Sequence, residues 1–179
     1  AYNLLKDGIN GWQSNSQTGA NGALMNIAFQ NALCFGKPKY ALWCVGMNDP
    51  VDSDINTPNS GWLTRTTKFI ELCRDLGITP VLGTIPSVPS RLNDGKNKWI
   101  REESGVRYID FAAAVGAQPD GTWYEGMLGT DNVHPSVLGG KALEERLITD
   151  LPEIVTGSDL SIESKIINSQ NIFNVNFSV

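Results

Sequence analysis

The chain has 179 residues, 41% of them hydrophobic, with 14 basic against 19 acidic side chains and a formal charge of −5. That length suits one domain able to bury a core without disulfide staples. An acidic balance with no cluster of Lys or Arg argues against a nucleic-acid or anionic-membrane partner, and no apolar run nears the ~20 residues that a bilayer span needs.

Tyr2 to Leu5 is a short apolar strand candidate ended by Asp7-Gly8, and Gly11 to Gly22 reads as a polar loop. Residues 23–35 carry a helical pattern, stopped by Gly36-Lys37-Pro38. Tyr40 to Val45 is continuously apolar, as expected of a strand covered on both faces. After the polar loop Gly46 to Ser60, Leu63, Thr66, Phe69, Ile70, Cys73 and Leu76 recur at helical spacing. They predict a helix over 61–76 with Ser60 as N-cap and Gly77 as the stop. Ile78 to Ile85 is the next buried strand, closed by Pro86. A short helix then holds Trp99 and Ile100, and Val106 to Phe111 is a further strand. Ser136 to Leu147 is the last helix, with Val137, Leu138, Ala142, Leu143, Leu147 and Ile148 expected to face inward.

Strands separated by helices predict an α/β fold, a three-layer α/β/α sandwich on a mostly parallel, flavodoxin-like sheet, over residues 1–155. In such sheets ligands bind beyond the carboxyl ends of the strands, here the loops that begin at Asp7, Gly46, Pro86 and Ala112. Residues 156–179 change character: Phe173, Val175, Phe177 and Val179 alternate with polar neighbours, which predicts a β-rich appendage or a linker to a following module. The three cysteines lack any metal-ligand spacing. Cys44 and Cys73 read as small buried hydrophobes, while Cys34 is left open.

His134 is the single histidine, so it is the one side chain that titrates near neutral pH without help from its surroundings. Asp131 lies three residues upstream in a stretch rich in glycine and proline. A carboxylate so placed can reach one imidazole nitrogen, fix the tautomer and leave the other nitrogen as a base.

Several segments carry a resemblance. Gly46-Met47-Asn48-Asp49 follows a buried strand, Asp131-Asn132-Val133-His134 precedes the last helix, and Gly8-Ile9-Asn10-Gly11-Trp12-Gln13-Ser14 lies near the start. With Gly83-Thr84-Ile85-Pro86-Ser87-Val88-Pro89 between them, these segments resemble, in order, the blocks of the SGNH hydrolase family, also called GDSL-type esterases, over residues 2–153. The resemblance implies acyl transfer from an ester to water. His134 would take the proton of a serine and Asp131 would orient the imidazole. The backbone N–H of Gly11 and the side-chain amide of Asn48 would donate to the oxyanion. Glycine lets the substrate oxygen approach the backbone, and a neutral amide donates without competing with the base. Asp49 reads as a loop-holding residue, and Trp12 and Trp123, beside these blocks, are candidate substrate contacts.

The family's Gly-Asp-Ser block does not occur in these residues. In the implied strand order 2-1-3-4-5, the strand that would carry it is paired on both sides. Omitting it would expose backbone groups of two neighbours. The expectation is that a separate peptide or another chain supplies the Ser-bearing strand. Two in-chain alternatives are weaker: Gly157-Ser158-Asp159 has the block's composition in scrambled order, and Ser14 or Ser16 lacks the strand-to-helix turn that presents such a nucleophile.

The function so implied is a serine ester hydrolase that removes acetyl or short acyl groups from a carbohydrate and needs no metal or organic cofactor. The alternative is a non-catalytic SGNH-like module that binds glycan or serves a larger assembly. A flavin or nucleotide binder on the same topology would want a Gly-rich phosphate loop, and the spacing within Gly11 to Gly22 does not supply one.

Overall fold

Three apolar runs become three parallel strands, β1 (Tyr40–Trp43), β2 (Thr79–Gly83) and β3 (Arg107–Ile109), in the order β1-β2-β3. They belong to a computed structural model that describes residues 13, 14 and 36–156 of the chain. The expected strand at 2–5, the helix at 23–35, Cys34, Ser16 and everything past residue 156 lie outside the described residues. The register sets Trp43 beside Leu82 and Leu82 beside Tyr108 on one face, with Leu42 beside Val81 on the other.

Each strand is shorter than its apolar run because side chains and caps take over the backbone groups. The carbonyl of Val45 accepts the indole N–H of Trp62 at 2.8 Å. Past Gly83, the N–H of Ile85 donates to Asn97 Oδ1 and its carbonyl accepts from Asn97 Nδ2, both at 2.7 Å. One buried amide thus serves both backbone groups of Ile85, as a neighbouring strand would. At the end of β3, Asp110 turns the chain into a four-residue helix, α3 (Phe111–Ala114), its carboxylate accepting the N–H of Ala113. The run expected to stay extended through Phe111 therefore ends at Ile109.

The two faces of the sheet carry separate cores. α1 (Ser60–Asp75) and α2 (Asp94–Glu102) cover one, where Trp43, Trp62, Phe69, Ile70, Cys73, Ile78, Leu82, Ile85 and Ile100 are buried together. Trp43 stacks on Phe69 with ring centroids 4.7 Å apart, and its indole N–H reaches Thr66 Oγ1. α4 (Val137–Asp150) and α5 (Glu153–Thr156) cover the other, around Val81, Ile109 and Leu151 with Tyr40, Phe111, Leu147 and Ile154 against them. Helices on both faces of a parallel sheet make the expected α/β/α sandwich.

Caps and stripes refine the sequence reading. The α1 N-cap is Asn59, whose Oδ1 accepts the N–H of Trp62, so Ser60 is instead the first helical residue. Gly77 ends the helix with φ +64°, a conformation that suits glycine. Ser136 caps α4 as expected, accepting the N–H of Gly139. The buried position of α4, however, is Gly139, where a Cβ would collide with the carbonyl of Met127. Val137 (81%), Leu138 (52%) and Ile148 (40%) are exposed, contrary to the inward placement their spacing predicts. Cys73 is fully buried as expected, whereas Cys44 is exposed as a residue although burial of its thiol pushes the pKa up to about 12. Among the described residues β1 pairs with β2 alone, and Leu42 on the α4 side is 39% exposed.

Candidate functional site

The segment that carries His134 is held as a tight loop before α4. Leu128 and Pro135 bridge its base, Gly129 N–H donates to the carbonyl of His134 at 2.7 Å, and Ser136 N–H donates to that of Met127 at 2.8 Å. Asn132 takes φ +57°, which its short polar side chain tolerates better than a branched one would. Asp131 then does two jobs. Its Oδ1 accepts the N–H groups of Val133 (3.0 Å) and His134 (2.9 Å), while Oδ2 meets His134 Nδ1 at 2.6 Å. These bonds, the imidazole's first and the two backbone N–H groups after it, hold the Asp131 carboxyl well below the usual carboxylate range. An ionised Asp131 only accepts, so Nδ1 carries the proton of the neutral ring and Nε2 holds the lone pair. The pair is open to solvent, His134 at 72% and Asp131 at 52% side-chain exposure. The dyad can therefore exchange a proton through Nε2 with a group that approaches from outside.

Asn48 sits on the loop that leaves β1. Gly46 has φ +148°, and a Cβ there would collide with Ile85 and Trp62, so the turn that presents Asn48 requires glycine. The turn closes through Asp49 N–H to the carbonyl of Gly46. Asn48 Oδ1 accepts from Arg91 Nη1 at 3.1 Å. Asp49 is buried (4% exposed) and reaches much farther along the chain than the nearby backbone. It accepts the N–H of Ser14 at 2.7 Å and the Ser14 hydroxyl, and its Oδ1 lies 3.0 Å from Arg65 Nη2. Arg65 Nε also donates to Ser14 Oγ at 2.5 Å. Ser14 is thus fully buried with its hydroxyl engaged by a carboxylate and a guanidinium, an arrangement that opposes its use as a nucleophile.

Gly11 and Trp12 lie outside the described residues. Trp123 is half-buried, and its indole N–H donates to the carbonyl of Ser87 at 2.6 Å. That bond leaves Trp123 its ring rather than its N–H to offer a substrate. The loops after β1, after β2 and after α3 are tied to one another: Arg91 bonds Asn48, and Trp123 bonds Ser87. The hydrogen bonds that orient His134 and Asn48 nevertheless come from separate loops, Asp131 for one and Arg91 for the other. Among the described residues no group of three His, Cys, Asp or Glu side chains could hold a metal.

Sequence reasoning missed the support beneath these loops. Lys96 is fully buried on α2, its Nζ 3.1 Å from Asp52 Oδ1, 3.0 Å from the carbonyl of Pro50 and 2.8 Å from Asn93 Oδ1. The other oxygen of Asp52 accepts the N–H of Lys96, and its first also accepts that of Asn59. The loop from Gly46 to Asn59 is therefore pinned to two helices by one carboxylate. A lysine in a polar helix gives no sign of burial; the loop's own Asp52, followed by the Asn59 cap, was the available hint.

The Asp131–His134 pair and the oriented Asn48 thus sit on loops of an α/β/α sandwich. No protein-family model matches the sequence, and no curated protein matches it. Among solved structures, the chain is similar to a protein assigned to the lipolytic G-D-S-L family from Desulfitobacterium hafniense DCB-2. The TM-score is 0.57 at 19% identity, with 79% of this chain and 77% of that one covered. The likeness is one of fold: this chain has the α/β architecture of that protein.

Proposed function

We propose that the chain is the major part of a serine ester hydrolase that removes acetyl or other short acyl groups from a carbohydrate. The observation that carries this reading is the 2.6 Å contact between Asp131 and His134 Nδ1, which leaves Nε2 as the base. In this reading Asn48 and the backbone N–H of Gly11 donate to the oxyanion of the tetrahedral intermediate. Trp12 and Trp123 flank the sugar, and no metal or organic cofactor takes part. The nucleophile arrives on a Gly-Asp-Ser strand from a separate peptide or chain. The reaction is then ordinary acyl transfer. Serine Oγ attacks the carbonyl carbon as its proton moves to Nε2, the sugar oxygen leaves with that proton, and water hydrolyses the acyl-enzyme by the same route.

A fluorophosphonate probe applied to the native protein tests the proposal, because an activated serine reacts and an ordinary one does not. The expected result is one labelled serine, mapped by peptide mass to a Gly-Asp-Ser segment, with labelling lost in His134→Ala. No labelling of the native protein would support the non-catalytic alternative, a scaffold that binds glycan or serves an assembly.

A further inference from the structure

We propose that Arg91 is a positioning residue for the oxyanion donor Asn48, fixing which way its amide faces and strengthening its N–H groups as donors. The inference rests on the esterase reading and concerns a residue that reading leaves without a role. An arginine guanidinium only donates, so the Asn48 atom 3.1 Å from Arg91 Nη1 must be the carbonyl oxygen. The Nδ2 group is thereby set on the opposite side of the amide. Reversing the amide would turn an N–H donor toward a cation that cannot accept it. A charged donor on Oδ1 also draws electron density from the amide, which makes Nδ2 a better donor to developing negative charge.

The guanidinium is itself held on a rigid support. Val88 and Arg91 exchange both backbone bonds, Arg91 N–H to Val88 at 2.8 Å and Val88 N–H to Arg91 at 3.1 Å. The Arg91 carbonyl accepts from Asn93 Nδ2 at 3.2 Å, and buried Asn93 in turn accepts from Lys96 Nζ. The turn bearing Arg91 and the loop bearing Asn48 therefore share one buried anchor, since Lys96 also binds Asp52 and Pro50.

The test is steady-state hydrolysis of p-nitrophenyl acetate by the native protein and its variants. Asn48→Ala is expected to lower kcat by about 100-fold or more. Arg91→Met is expected to lower kcat by about 10-fold with KM unchanged, the cost of a misplaced donor. Arg91→Lys, which keeps a cationic donor, should recover most of that loss. In the Asn48→Ala background, Arg91→Met should cost nothing further, because the group it positions is gone. Should Arg91→Met fail to fold by near-UV circular dichroism, Arg91→Gln replaces it, as its neutral amide can face Asn48 either way round. The proposal is overturned if the Arg91 variant acts in full on the Asn48→Ala background, raises KM alone, or leaves kcat intact while Asn48→Ala is crippled. If Asn48→Ala itself turns over normally, the oxyanion assignment falls and takes the positioning role with it. Native protein that fails to turn over the ester sinks the esterase reading as a whole.

Discussion

Asp131 with His134 and Asp52 with Lys96 are both pairs of an acidic and a basic side chain at short range, yet one is open to water and the other sealed. The first has side-chain exposures of 52% and 72%, the second of 3% and 0%. Lys96 Nζ meets three protein oxygens, on Asp52, Pro50 and Asn93, so its charge is spent on holding the Gly46–Asn59 loop against α2. His134 keeps one ring nitrogen outside its pair, which is what proton transfer requires. Burial thus separates a pair that organises the rim of the sheet from a pair suited to act there.

The contrast can be broken from either side. His134→Ala should reduce ester turnover by about 10⁶-fold while leaving the urea midpoint nearly unchanged, measured on the same preparation. A parallel loss of stability would mean that the imidazole is structural. Lys96→Met should do the reverse, lowering stability by about 3–5 kcal/mol in urea titration because Asp52 stays buried without its cation. Adding Asp52→Asn should recover part of that loss; a double variant as unstable as the single one would show that loop geometry rather than charge is at stake.

Asp131→Asn sharpens the comparison further. Turnover should drop by about 10⁴-fold, since an amide can hold the ring in the wrong tautomer. In the unaltered protein the carboxyl of Asp131 is depressed, so its contribution to the loop is complete above the ordinary carboxylate range. That contribution is lost only as pH falls well below it. A carboxyl carbon titration by NMR should accordingly show Asp131 ionised at pH 4. The smallest effect belongs to Glu153, which Arg107 holds down to about 2 at the surface. Its contribution is present above the usual Glu range and fades as pH falls toward that value, and Glu153→Gln at pH 7 should leave the melting temperature within replicate scatter.

The residues proposed to bear chemistry stand out in the sequence because their signals are local. Asp131 reaches His134 across a single turn, and the strand before Gly46-Met47-Asn48-Asp49 is an unbroken apolar run. The fold followed from those runs and the helical spacing between them. What stayed hidden depends on partners distant in sequence. Ser14 meets Asp49 35 residues on, Arg91 meets Asn48 43 residues back, and Lys96 meets Pro50 46 residues back. The inward placement of Val137 and Leu138 failed for a related reason. Spacing reports the period of an amphipathic helix, while the side it turns inward depends on the close fit of Met127 against Gly139, which no local pattern records.

Asn97 carries a consequence of its own. Because one amide satisfies both the N–H and the carbonyl of Ile85, the position accepts almost no alternative. Aspartate would offer the Ile85 carbonyl a repelling oxygen, leucine would strand both groups in a dry interior, and glutamine would overshoot by a methylene. A saturation library at this site should return asparagine almost alone, even under selection blind to catalysis.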